Sequence, residues 1–132
     1  VVWKNLPLSF HPNAMPAALA AMAANDQGKF WEMHDKIFEN QKTMNRDQYI
    51  AYAKELKLDV AKFTKALDDA AFKAQIEADM ADAGKLGVSG TPGFFVNGKF
   101  LSGAKPFGEF ATAINAELKR LNLPIPAGAP AS

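Results

Sequence analysis

The 132 residues contain no cysteine. That absence puts a disulfide framework, thiolate metal ligands and a thiol nucleophile outside the chain's own chemistry. It leaves the compartment open, because a cysteine-free chain suits either redox environment. Excess charge of one sign is also missing: 15 Lys and Arg stand against 14 Asp and Glu, a net charge of +1. Without a Lys/Arg run, the electrostatic footprint of a nucleic-acid binder is lacking. No apolar run approaches the roughly 20 residues of a membrane-spanning helix. His11 lies in a loop beside Pro12, and with no cysteine and no clustered His or carboxylate spacing of the metal-ligand kind, neither a metal nor a cofactor is expected. No basic stretch precedes the apolar opening, and no signal peptide is read. The first residue is Val1 rather than Met, so the expectation is a start at a processing site or within a longer protein.

What is present is ordinary globular composition, 48% hydrophobic and 22% charged, in a chain of one domain's length. Val1-Val2-Trp3-Lys4-Asn5-Leu6 predicts a strand that Pro7 ends, since proline cannot donate to a ladder. Roughly five helices with short turns follow. Asn13 is read as the N-cap of the first, with Met15, Leu19 and Met22 on one side. Phe30, Met33, His34, Ile37 and Phe38 form the clearest helical stripe. Asn45 with Gln48 resembles a capping box for a helix bearing Tyr49, Ile50, Ala53 and Leu56. Asp59 caps a short helix with Val60, Phe63 and Leu67 inward. Another carries Phe72, Ile76, Met80 and Ala83, and stops at Gly87.

The pattern then changes. Phe94-Phe95-Val96 and Lys99-Phe100-Leu101 flank Asn97-Gly98, a hairpin signal because both turn residues tolerate positive φ. Gly103 closes the hairpin. Pro106 suits the first turn of a last helix with Phe107, Phe110, Ile114, Leu118 and Leu121 on one face. From Asn122 the prolines and glycine (Pro124, Pro126, Gly128, Pro130) predict a tail or linker over 122–132.

Several residues have a plain packing reading. His34 lies on an apolar stripe, where a histidine is more often a hydrogen-bonded core residue than a base. Met15, Met22, Met33 and Met80 fit helical core positions, and Trp31 flanks its stripe as packing. Ser9, Ser89 and Ser102 have no paired base that would mark a nucleophile.

The order of strand, helices, Gly90-Thr91-Pro92-Gly93, hairpin and helix resembles the DsbA-like thioredoxin-fold family. Leu86-Gly87-Val88-Ser89-Gly90-Thr91-Pro92-Gly93-Phe94-Phe95-Val96-Asn97-Gly98 is similar to that family's cis-proline segment. Pro7-Leu8-Ser9-Phe10-His11-Pro12-Asn13-Ala14 is similar to the stretch after the strand that follows the active-site helix. The likeness runs to about Leu121.

The resemblance implies an α/β thioredoxin-like domain over 1–121. Its parts would be a helical insertion at about 13–86, a cis-proline loop and hairpin at 87–103, and a last helix at 106–121. It also implies that the family's first core strand and active-site helix, with their Cys-x-x-Cys, have no counterpart in these residues. No catalytic residue is then expected in this chain. Thr91 and Pro92 are the substrate-binding candidates: a cis X-Pro bond costs only about 0.5–1 kcal/mol, and the Thr91 backbone would pair with an extended polypeptide. A thiol–disulfide oxidoreductase is the parent function implied, periplasmic or otherwise exported. Two alternatives stay open, a non-catalytic thioredoxin-like binding module and a glutathione-dependent isomerase or transferase. A missing central strand would leave open sheet edges, and edges recruit strands. A homodimer is the favoured relief, with direct pairing of the first strand with the hairpin, or a first strand that wanders, as the alternatives.

Overall fold

The computed structural model describes residues 1–128, and residues 129–132, with Pro130 of the expected tail, lie outside the described residues. The chain divides into two compact units, residues 1–87 and residues from 88 onward.

The first unit is helical. It holds α1 (Ala14–Asn25), α2 (Phe30–Glu39), a 3₁₀ turn (Gln41–Thr43), α3 (Arg46–Glu55), α4 (Val60–Ala66) and α5 (Ala70–Lys85). Local chemistry sets most boundaries. The Asn45 carboxamide oxygen accepts from the Gln48 N–H at 2.9 Å, the Asp59 carboxylate from Lys62 N–H at 2.9 Å and Asp69 from Ala71 N–H at 2.8 Å. Each side chain satisfies one of the four donors that a helix start leaves unpaired. Gly87 follows α5 at φ +73°, a left-handed residue that ends the helix without a Cβ penalty.

The core of this unit is built from Ala20, Ala23, Ala24, Met33, Ile37, Tyr49, Tyr52, Ala53, Phe63, Ala66 and Leu67. On α1 the expected Met15, Leu19 and Met22 face is corrected: those three are half-buried, and alanines 20, 21, 23 and 24 are buried instead. Alanine lets helices approach closely, and α1 packs on α2, α3, α4 and α5. The α2 stripe holds at Met33 and Ile37, but Phe38 at its end is exposed.

Residues 1–8 form no strand, contrary to expectation. A strand exists by virtue of ladder hydrogen bonds, and among the described residues the only sheet joins two later strands. The Asn5 N–H goes instead to a carboxylate oxygen of Asp79 on α5, at 3.0 Å.

The second unit has β1 (Gly93–Val96), β2 (Lys99–Ser102) and α6 (Phe107–Arg120). The strands are antiparallel, with Val96 opposite Lys99 across the two-residue turn. Asn97 and Gly98 take φ +47° and +80°, the double positive φ of a type I′ turn. Pro106 stands one place before α6, as its N-cap, rather than inside the first turn. The expected α6 stripe is also corrected. Phe107, Ile114 and Leu121 are exposed, whereas Ala111, Asn115 and Glu117 are buried.

Candidate functional site

Two hydrogen-bonding facts define the segment before β1. The Pro92 carbonyl accepts the Gly103 N–H at 2.8 Å, one step beyond the Gly93–Ser102 pair. Among the described residues, neither the N–H nor the carbonyl of Thr91 has a hydrogen-bond partner. Thr91 and Pro92 are both exposed, and the peptide bond between them is cis.

Pairing in an antiparallel ladder alternates between hydrogen-bonded and non-hydrogen-bonded residues. The Gly103–Pro92 bond fixes the phase: Phe94 and Val96 bond to β2, while Gly93 and Phe95 turn their N–H and C=O away from it. Among the described residues the outer edge of β1 is therefore a row of backbone donors and acceptors without a neighbouring strand, and Thr91 stands just before it. Gly93 is required here by close approach. A Cβ at this position would lie 3.1 Å from Val88 Cγ1 and 3.2 Å from the Phe100 ring.

The two faces of the hairpin differ. Phe94 meets Phe110 of α6 edge-on, with ring centroids 4.7 Å apart. On the opposite face Phe95 and Phe100 pair at 5.0 Å and remain 43% and 45% exposed. Neither Gly93-Phe94-Phe95-Val96 nor Thr91 carries a charge, and within β1 no proline guards the edge against strand addition.

Glu117 ties the hairpin to α6 from beneath the turn. It is buried, lies 2.8 Å from Lys99 Nζ and 2.9 Å from Arg120, and the Asn97 side chain approaches it at 3.4 Å. The Lys99 ammonium and then the Arg120 guanidinium pull the carboxyl down to about 2, against the opposing effect of burial. A carboxylate whose folded pKa is depressed stabilises the fold above its ordinary value and ceases to do so below the folded one. The clamp is thus complete above about pH 4.5 and weakens as pH falls towards 2. Acid denaturation of wild type and Glu117→Gln should show wild type more stable near neutrality, with the two curves converging across that window. A difference that does not change with pH would count against the assignment.

The sequence reading pointed to Thr91 and Pro92 but missed Glu117. It also missed an aromatic cluster in the helical unit, where Trp3 contacts the rings of Phe30, Trp31 and His34 at 5.3–5.7 Å. Trp31, expected as packing, is exposed, and His34 is half-buried, stacked on Phe38 at 4.4 Å with Nδ1 3.0 Å from Asp35. Among the described residues no cluster of side chains suited to a metal occurs, and no helix is long and apolar enough to cross a membrane.

Known proteins bear on the same segments. A crystal structure of a thioredoxin-like oxidoreductase from Silicibacter pomeroyi DSS-3 superposes with a TM-score of 0.79 at 28% identity, covering 89% of this chain and 68% of that one. The chain is 46% identical over 99 residues to the Na(+)/H(+) antiporter NhaA 1 of Salinispora arenicola, covering 74% of this chain and 15% of that protein. It is 42% identical over 97 residues to the antiporter NhaA of Herminiimonas arsenicoxydans, covering 74% of this chain and 16% of that protein. The chain thus spans about 15% of the length of these curated relatives. The model of the DSBA-like thioredoxin domain matches residues 2–115, through both the helical unit and the hairpin. The fold is thioredoxin-like, and the chain belongs to the DSBA-like thioredoxin domain family.

Proposed function

We propose that these residues are part of a thiol–disulfide oxidoreductase, and that their share of its work is to dock an extended segment of a substrate polypeptide. The observation that carries this reading is the backbone edge at Thr91, exposed and without a hydrogen-bond partner among the described residues, in a member of the DSBA-like family. The edge along β1 itself is the one that the family's central strand would cover in the parent. Strand addition to such an edge uses main-chain hydrogen bonds for affinity and neighbouring side chains for selectivity. Thr91 supplies the free backbone groups, Pro92 shapes the entry to the hairpin, and the Phe95–Phe100 pair offers an apolar surface beside them.

Thiol–disulfide exchange needs a thiolate to attack a disulfide sulfur. With no cysteine, the chain has no such nucleophile, and the exchanging cysteines of the proposed parent lie outside these 132 residues. Export to an oxidising compartment such as the periplasm fits this chemistry. The antiporter relatives do not extend it: their names describe chains of which the match covers 15–16%. A non-catalytic binding module is the second reading, favoured by the same lack of cysteine, and in it the docking edge keeps its role. The residues upstream of Val1 distinguish the two readings: a Cys-x-x-Cys there supports the first, its absence the second.

The purified chain should give no rate above the uncatalysed background in insulin reduction by dithiothreitol, at any pH. Clear catalysis would overturn the claim that exchange depends on cysteines elsewhere.

A further inference from the structure

Among the described residues, residues 1–8 have no sheet to join, and their hydrogen-bonding anchor is a single buried carboxylate. Asp79 sits on the inward stripe of α5, one turn after Ile76, and is 4% exposed. Its two oxygens gather donors from the segment: Lys4 Nζ at 3.0 Å, the Asn5 backbone N–H at 3.0 Å and Asn5 Nδ2 at 3.1 Å. Gln75 on α5 approaches at 3.4 Å, and Asn5 Nδ2 also reaches Met22 Sδ on α1 at 3.6 Å. Trp3 Nε1 donates to Asn5 Oδ1 at 3.2 Å, so the anchored asparagine also orients the indole that packs on Phe30, Trp31 and His34. Beside this segment lies a cavity of about 500 Å³, bordered among others by Val1, Trp3, Asn5, Met22, Phe30 and Asp79.

We infer that Asp79 is a latch and that the N-terminal segment is a strap, held by that carboxylate across one side of the cavity and freed when the carboxylate is lost or neutralised. The inference lies in the helical unit and is independent of the docking edge.

Three features support it. The tie is concentrated: Lys4 and Asn5, adjacent in sequence, supply three donors to one side chain. The strap has no competing backbone tie, because the other backbone N–H groups of residues 2–6 have no hydrogen-bond partner among the described residues; its other hold is the packing of Trp3 and the buried Pro7. The residues beside the tie, Val1 and Val2, are exposed rather than packed. Hydrogen bonds to a charged acceptor are about twice as strong as neutral ones, so neutralising Asp79 weakens all three ties together.

The charged groups around the latch are few. From the strap comes Lys4, whose ammonium is stabilised first by its hydrogen bond to Asp79; on α5, Asp82 acts on Lys4 from further away. Asn5, Gln75 and Met22 do not titrate. Burial pushes the Asp79 carboxyl up, but the Asn5 and Lys4 hydrogen bonds outweigh it and hold the group below its ordinary value. The latch is therefore closed at neutral pH and opens as pH falls through that lowered value.

Amide hydrogen exchange on the whole chain tests the inference, with Asn5 reporting the strap and Phe63 the helical core. In wild type at neutral pH the Asn5 amide should be protected. Asp79→Ala should reduce its protection by about tenfold or more, leaving Phe63 unchanged, and Asp79→Asn should fall between. On acidification, wild-type Asn5 protection should collapse before that of Phe63, whereas Asp79→Asn should show no such step. Equal Asn5 protection in all three proteins would overturn the latch. If Asp79→Ala unfolds the helical unit, the wild-type acid titration decides. Loss of Asn5 protection ahead of Phe63 supports the latch, and loss of both together refutes it.

Discussion

Phe63→Ala should lower the stability of the helical unit by about 3–5 kcal/mol, the usual cost of truncating a fully buried aromatic. Phe63 is wholly inaccessible on α4, a helix of only seven residues. So short a helix has little stability of its own and stays folded because its inward ring is packed. The ring joins a core whose other large members are Met33, Ile37, Tyr49, Tyr52 and Leu67. Few of their neighbours can move in to fill a void, because much of the remaining lining is alanine held on α1. Phe63→Leu, which keeps most of the volume, should cost appreciably less. Denaturant unfolding monitored by helical circular dichroism measures both. A loss below about 1 kcal/mol for the alanine variant would mean that α4 is not keyed into the core as described.

The helices were legible because their signals are local. Asn45, Asp59 and Asp69 each accept a backbone N–H at the start of their helix, and the reading anticipated the first two. Asn97-Gly98 specified its turn through positive φ alone. What failed needed partners distant in sequence. Val1-Val2-Trp3 has the composition of a strand, but composition supplies no neighbour, and Asp79, 74 residues from Asn5, takes the hydrogen bond a ladder would have used. On α6, hydrophobic periodicity pointed to Phe107, Ile114 and Leu121, yet among the described residues the hairpin is only two strands wide, and Ala111, Asn115 and Glu117 are the buried positions instead.

The candidate site divides in the same way. Thr91 and Pro92 could be singled out from Gly90-Thr91-Pro92-Gly93 ahead of a hairpin. That Gly93 and Phe95 turn their backbone groups to the open edge required the register, which no sequence pattern states. Asp79 carried a usable signal, since it falls on the stripe of Ile76, Met80 and Ala83, and an acid on an apolar stripe requires a partner. Glu117 is harder to find. Its partners Asn97 and Lys99 flank Gly98 in the turn, and only the folded hairpin brings them to α6.

The second large effect expected is binding itself. The outer edge of β1 should accept an extended polypeptide, and chemical-shift mapping of the ¹⁵N-labelled chain against reduced, carboxymethylated insulin B chain is the most direct test. That probe is unfolded and has its thiols blocked, so it reports docking without exchange. If the edge is the site, amide changes should concentrate at Thr91 and along Gly93–Val96, with the helical core around Phe63 silent. The same amides should shift with protein concentration alone if a second copy of the chain pairs there, and light scattering would then show a dimer. Saturable binding at Thr91 and β1 is the predicted result. No change at those amides with the peptide at millimolar concentration, or changes confined to the Trp3 and Trp31 surface, would contradict the proposed docking role.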